Sequence, residues 1–390
     1  MKTGLDLFLD GAHRKYRGMR LGVVCHPASV DLRLRHVRHR IMDSKLGLEV
    51  TCFIGPQHGI RGEKQDNMIE SEDFEDPKYG IPVFSLYGKW RNPWPEMLET
   101  LDTFVIDLQD IGTRIYTFAY TMANCMRAAR SAGKRVVVLD RPNPIGGVHV
   151  QGNVLEPAFA SFVGQFPVAT RHGMTMGELA LLFNEEFGIG CELEVIRMKG
   201  WRRRSLGDEW ERDWVPPSPN IPTFASALAF PGTVLFEGTN VSEGRGTTKP
   251  FEWIGAPFVD PDRLADVMNA KKLAGVYFRP IFFQPTFHKG KDQVCGGVHL
   301  HVTDRKRFDP AWAGAHLLGA IAELWPREFA WKQPPYEYEY EKLPIDIIAG
   351  TARLREDIEA GRGVGRFERA SRDALSRFRK IRAKYLLYES

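Results

Sequence analysis

Four stretches of the 390-residue chain carry residues able to hold a charge or move a proton. "GPQHGIRGE" offers His58, Arg61 and Glu63, and "DLQDIGTRIY" offers Asp107, Asp110, Arg114 and Tyr116. "LDRPNP" contributes Asp140, Arg141 and Asn143, and "FEGTNVSEGRG" adds Glu237, Asn240, Glu243 and Arg245. Carboxyls and imidazoles act as general acids and bases, while guanidinium groups grip anions through paired hydrogen bonds. The candidates for proton transfer are therefore His58, Glu63, Asp110, Glu237 and Glu243. Arg61, Arg114, Arg141 and Arg245 suggest an anionic group on the substrate. At the head of the first stretch stands Gln57, an amide where a carboxyl could carry a proton. Glutamine donates and accepts hydrogen bonds but does not titrate.

Each candidate has a plainer reading. Asp107 ends an apolar run and would serve equally to hold a neighbouring arginine. Asp140 precedes Pro142 and suits a turn. Glu178 follows Thr175 by three residues, as in a helix capping box. Familiar signatures are absent: no G-x-G-x-x-G follows the first strand-like run, no G-x-S-x-G occurs, and "GRGTTKP" lacks the order of a phosphate loop. "HLH" at 299–301 puts two imidazoles on one strand face without a third ligand nearby, so neither metal nor cofactor is expected.

Something must position these groups. β-forming runs appear at "LGVVC", "LEVTCFI", "IPVFSLY", "TFVIDL" and "RVVVLD", with helix-like segments between several of them. The runs are continuously apolar, as expected for a parallel sheet covered on both faces. Ligands of such sheets bind beyond the carboxyl ends of the strands, which is where three of the four polar stretches fall. "YTMANCMRAARSAG" reads as a helix stopped by Gly133, and "HGMTMGELALLFNEEFG" as a helix opened by Thr175 and Glu178. The Pro-rich "VPPSPNIPT" suggests a boundary, giving an α/β part over 1–222 and a smaller α+β part over 223–390. Apolar spacing at Phe367, Leu375, Phe378, Ile381 and Tyr385 predicts a docked terminal helix.

Bulk properties narrow the partners. A net charge of +4, with both signs interleaved, argues against nucleic acid. The five cysteines show no C-x-x-C spacing, so disulfide or zinc frameworks are not indicated. "MKTGLDLFLDGAHRKYRGMRLGVV" lacks the apolar core of a signal peptide, and no run approaches a membrane span; a cytoplasmic location is the expectation. Oligomeric state is not legible.

"GPQHGIRG", "VFSLYG", "DLQDIGTRIYT", "VLDRPNPIGG", "RHGMTMGELA", "VPPSPNIPT", "EGTNVSEGRGTTKPFEWIGAP" and the closing "YLLY" together resemble the exo-β-N-acetylmuramidase family, also catalogued as DUF1343. The resemblance runs from about residue 20 to the C-terminus. It implies a Rossmann-like N-terminal domain, a smaller C-terminal domain and an active site in the cleft between them. The implied reaction is hydrolytic release of N-acetylmuramic acid from the non-reducing end of peptidoglycan fragments, so an amino sugar or muropeptide is the expected partner. His172 and Asn220, within the shared motifs, join Gln57, Arg61, Asp107, Arg114, Tyr116, Asp140, Arg141, Asn143, Asn240 and Arg245 as expected substrate contacts. In the family the position of Gln57 is held by a glutamate in a "PEHG" loop, a leading candidate for the catalytic carboxyl. The departure leaves two expectations: a glycosidase whose proton comes from another residue, or a sugar-binding protein with weak or lost catalysis.

Overall fold

The computed structural model describes residues 1–66, 68–211 and 213–389. Nine strands precede residue 200: β1 (Arg20–Cys25), β2 (Glu49–Gly55), β3 (Phe74–Glu75), β4 (Pro82–Ser85), β5 (Thr103–Asp107), β6 (Arg135–Leu139), β7 (Gln151–Val154), β8 (Ala169–Arg171) and β9 (Glu192–Ile196). Seven of them form one sheet in the order β3-β4-β2-β1-β5-β6-β9. Every pairing in it is parallel except β3 with β4. The chain builds outward from β1 through β2 and β4, then crosses to β5 and builds the other way through β6 and β9. The reversal between β1 and β5 is a topological switch point.

Strand residues alternate between two cores. Val24, Phe104, Ile106, Val136 and Val138 face the helices Phe118–Ala132 and Met176–Glu185. Val23, Val105, Val137 and Leu139 face the opposite side with Leu5 and Phe8 of the helix Gly4–Asp10. Apolar runs without polar alternation are thus the signature of a sheet buried on both faces. Gly133 ends the first of these helices in the left-handed region, φ 63°. Thr175 and Glu178 cap the second reciprocally, at 3.2 and 3.0 Å. β9 and the short β3 are strands that the sequence pattern did not mark.

The remainder is smaller: β10 (Trp253–Ala256), β11 (Val276–Phe283) and β12 (Cys295–Val302) make an antiparallel sheet in the order β10-β12-β11. The helices Phe224–Thr233 and Pro310–Leu324 cross at Gly232 and Gly314. A Cβ on Gly232 would lie 1.8 Å from the Pro310 carbonyl oxygen, so only glycine permits this approach. The terminal helix Val364–Ala383 buries Phe367, Leu375 and Phe378, as its spacing predicts. Among the described residues, no helix is long and apolar enough to cross a membrane.

Candidate active site

The switch crevice, where such folds often bind ligands, is filled by the protein itself. Arg141 grips Asp107 through two bonds, Nε to Oδ1 at 2.5 Å and Nη2 to Oδ2 at 2.8 Å, and both side chains are fully buried. His26 accepts from the Gln109 amide at 2.8 Å and packs edge-on against Phe118. Burial and the nearby Arg141 push the His26 imidazole well below its ordinary range, so it sits neutral.

The polar pocket opens one strand over, behind β2. His58 at φ 70° and Gly59 at φ 76° turn the chain sharply after Pro56, and this turn sends Gln57 inward, 6% exposed. Gln57 Oε1 accepts from the Thr117 hydroxyl at 2.5 Å. With its carbonyl so fixed, the amide nitrogen donates to Glu337 Oε1 at 2.9 Å and to the Tyr87 hydroxyl at 3.2 Å. The Tyr87 hydroxyl in turn donates to Glu337 Oε2 at 2.8 Å.

Glu337 lies on a strap between Trp331 and the helix Pro344–Ala349, and its backbone occupies the left-handed region, φ 46°, as does that of Tyr338, φ 65°. Two consecutive non-glycine residues there are costly, and such conformations gather at functional sites. Burial, opposed by Tyr87 and reinforced by the charge of Glu237, pushes the Glu337 carboxyl up to about 7. It is thus poised to hold and release a proton near neutrality.

A charged ring stands beside it. Glu237 accepts from Arg245 at 2.6 Å and from the Tyr336 hydroxyl at 2.5 Å. Arg245 also reaches Glu243 at 3.2 Å, and Glu243 meets Lys289 at 2.6 Å and His288 at 3.3 Å. Burial alone would raise Glu243, but Lys289, then His288 and Arg245, bring it down to about 2. His58 is driven the other way, down to about 4, chiefly by burial, and its Nδ1 faces the Lys64 carbonyl at 2.6 Å.

The structure thus gathers Gln57, His58, Tyr116, Asn220, Glu237 and Arg245 around one cavity, together with Glu337, Thr117 and Tyr336. The cavity encloses about 40 Å³, room for little more than a water molecule. Small-molecule sites begin at roughly 300 Å³, so the cavity as it stands is too small for a whole sugar. Other candidates lie elsewhere. Arg61 and Glu63 line a neighbouring groove of about 620 Å³, with Arg61 over the Phe74 ring at 4.4 Å. Glu243 backs Arg245 without lining the cavity. Asn240 is exposed and clasps the backbone of Glu328 and Ala330.

The rest are tied into the scaffold. Asp140 accepts from Thr175, Gly177 and Tyr388, joining β6, a helix start and the chain end. Asn143 bonds the Met174 carbonyl, Arg114 the carbonyls of Ile348 and Ala349, and His172 Nε2 lies 3.3 Å from Asp110. Asp107 and Arg141 are spent on each other. Sequence reasoning missed Glu337, Tyr87, Thr117 and Lys289. Within "PYEYEYEK" the glutamates look alike, and only the fold singles out the one that meets Gln57.

The pocket thus holds two carboxyls in unlike environments, one protonatable near neutrality and one engaged by a cation, the pair of groups that glycoside hydrolysis employs. Comparison with known proteins shows the family. Residues 21–225 match the model of the N-terminal part of the exo-β-N-acetylmuramidase NamZ, and residues 228–388 match that of its C-terminal part. The chain is 43% identical over 388 residues to the peptidoglycan β-N-acetylmuramidase NamZ of Bacillus subtilis (strain 168), covering 100% of this chain and 91% of the relative. Two crystal structures of DUF1343 proteins from Bacteroides fragilis share the fold over 100% of this chain and 99% of theirs. BF0371 does so with a TM-score of 0.89 and 33% identity, BF0379 with 0.77 and 26%. The chain belongs to the exo-β-N-acetylmuramidase NamZ family.

Proposed function

We propose that the protein is an exo-acting β-N-acetylmuramidase that releases N-acetylmuramic acid from the non-reducing end of peptidoglycan fragments, with Glu337 as the proton donor. The observation that carries this reading is the placement of Glu337 against Gln57 in a pocket that also holds Glu237. The Glu337 carboxyl protonates the glycosidic oxygen as the bond to the leaving sugar breaks. Glu237, paired with Arg245, or the acetamide of the substrate meets the positive character that develops at the anomeric carbon; water then forms the new bond to that carbon and returns a proton to Glu337. Gln57 does not titrate; its amide fixes the rotamer of Glu337, and Thr117 fixes that of Gln57. A binding-only role, suggested by the loss of a carboxyl at position 57, is not favoured, because Glu337 supplies a carboxyl to the same pocket. Turnover of a chromogenic β-N-acetylmuramide, set against the matching β-N-acetylglucosaminide, tests the reading. Release of no sugar from any muramyl substrate overturns it.

A further inference from the structure

The substrate in this reading differs from other amino sugars by its lactyl carboxylate, and that anion needs a partner. Most arginines and lysines around the pocket are already committed. Arg245 donates to Glu237 and the Gln65 carbonyl and is ion-paired with Glu243. Lys289 bonds Glu243 and the carbonyls of Phe236 and Thr239. Arg141 is locked to Asp107, and Arg114 lies buried beneath the site on backbone carbonyls.

Arg91 differs from all of these in being partly exposed while having no carboxylate in close contact. Its guanidinium carbon sits 3.0 Å from the centre of the Tyr338 ring, next in the chain to Glu337. Tyr338 packs edge-on against Tyr87, whose hydroxyl bonds Glu337. Two aromatic rings therefore link Arg91 to the proton donor. The nearest carboxylate, Glu70, reaches Nη2 only at 3.5 Å, the outer limit of a hydrogen bond, and Nε meets no acceptor. The side chain keeps 25% of its surface exposed. Nε is buried against the protein, so it is the exposed end of this stacked, planar guanidinium, held by one long bond to Glu70, that is pre-organised for a carboxylate. Lys332, above the Tyr336 ring at 5.7 Å, is a flexible point charge that lacks this fork.

We propose that Arg91, braced on Tyr338 next to Glu337, recognises the lactyl carboxylate of N-acetylmuramic acid and so selects muramyl sugars over glucosaminyl ones. The assignment rests on the muramidase reading, but its test does not need turnover. Calorimetry compares N-acetylmuramic acid with its lactyl methyl ester, which keeps the side chain and removes the charge. Wild type is expected to bind the acid roughly 10- to 100-fold more tightly than the ester, the worth of a hydrogen-bonded charge. In Arg91→Gln the two affinities converge, in Arg91→Lys part of the preference survives, and in Glu70→Gln the acid binds more tightly as its competitor is removed. A preference for the acid that survives Arg91→Gln, or that vanishes instead in Lys332→Gln, overturns the assignment. Equal binding of acid and ester by wild type does so as well. Catalytic failure with this binding pattern intact would strike only at the muramidase reading.

Discussion

The amide nitrogen of Gln57 lies 2.9 Å from Oε1 of Glu337, a residue 280 positions further along the chain. One contact thus joins the loop after β2 to the strap that closes the pocket. It also gives the glutamine a task that a second carboxylate would perform differently. An amide donates to Glu337 at every pH, whereas a carboxylate would compete with it for a proton.

Replacing Glu337 by Gln should lower kcat on natural glycan fragments by about 10²- to 10⁴-fold, the usual worth of general acid catalysis. The shape and the bonds to Tyr87 are nearly preserved, so the fold persists. An aryl muramide with a strongly acidic phenol as leaving group needs little protonation and should be cleaved by the variant at close to the wild-type rate. An equal loss on both substrates would assign the proton to another group.

The pH profile follows from the same carboxyl. Glu337 donates only when protonated, so kcat should fall as pH rises through about 7, and this limb should disappear in Glu337→Gln. In Gln57→Glu two carboxyls share one bond, and like charges in contact do not both ionise. The alkaline limb should then move to higher pH. An unmoved limb in Gln57→Glu would mean that the titrating group is not in contact with position 57.

Arg245, Glu237, Glu243 and Lys289 form a buried network in which each charge answers another. Lys289→Met strips Glu243 of its nearest cation while leaving it buried. Breaking such a pair costs roughly 3–5 kcal/mol. Chemical denaturation should register that loss, with activity falling as Arg245 shifts toward Glu243. A variant as stable as wild type would show that solvent reaches Glu243.

The sheet was legible because burial on both faces writes unbroken apolar runs, and of its strand ends the segments after β2 and β5 reach the candidate pocket. Which strand-end residues do chemistry was not legible. Asp107 ends β5 at the switch point and Arg141 follows the adjacent β6, yet the fold spends the two on each other there. The same residue types at the same positions would suit catalysis or scaffolding, and only their partners distinguish the two. Glu237 and Arg245 emerged from their spacing in a Gly-rich loop. Glu337 carries no local signal, since its neighbours Glu339 and Glu341 follow the same alternation with Tyr340, and its burial arises from tertiary closure alone.

Two buried carboxyls should give stability opposite dependences on pH. Asp140, with an ordinary value of 3.8, is pushed up to about 7 by burial despite the bonds from Tyr388, Gly177 and Thr175. Between those values the folded chain holds a proton that the unfolded chain has lost, so stability from this group is full below 3.8 and is lost as pH rises to about 7. Glu243 runs the other way, from 4.5 unfolded to about 2 folded, so its contribution is present above 4.5 and is lost as pH falls toward 2. Melting temperatures measured across this range should therefore fall less steeply between pH 4 and 7 for Asp140→Asn than for wild type. Between pH 4.5 and 2 the shallower fall should belong to Glu243→Gln. The slopes, not the absolute melting points, are the readout, because either substitution disturbs packing at all pH values. Were the Asp140→Asn slope to match wild type between pH 4 and 7, the carboxyl that ties β6 to Tyr388 would be ionised in the folded chain. The Tyr388 hydroxyl would then be bonding an anion across that whole range.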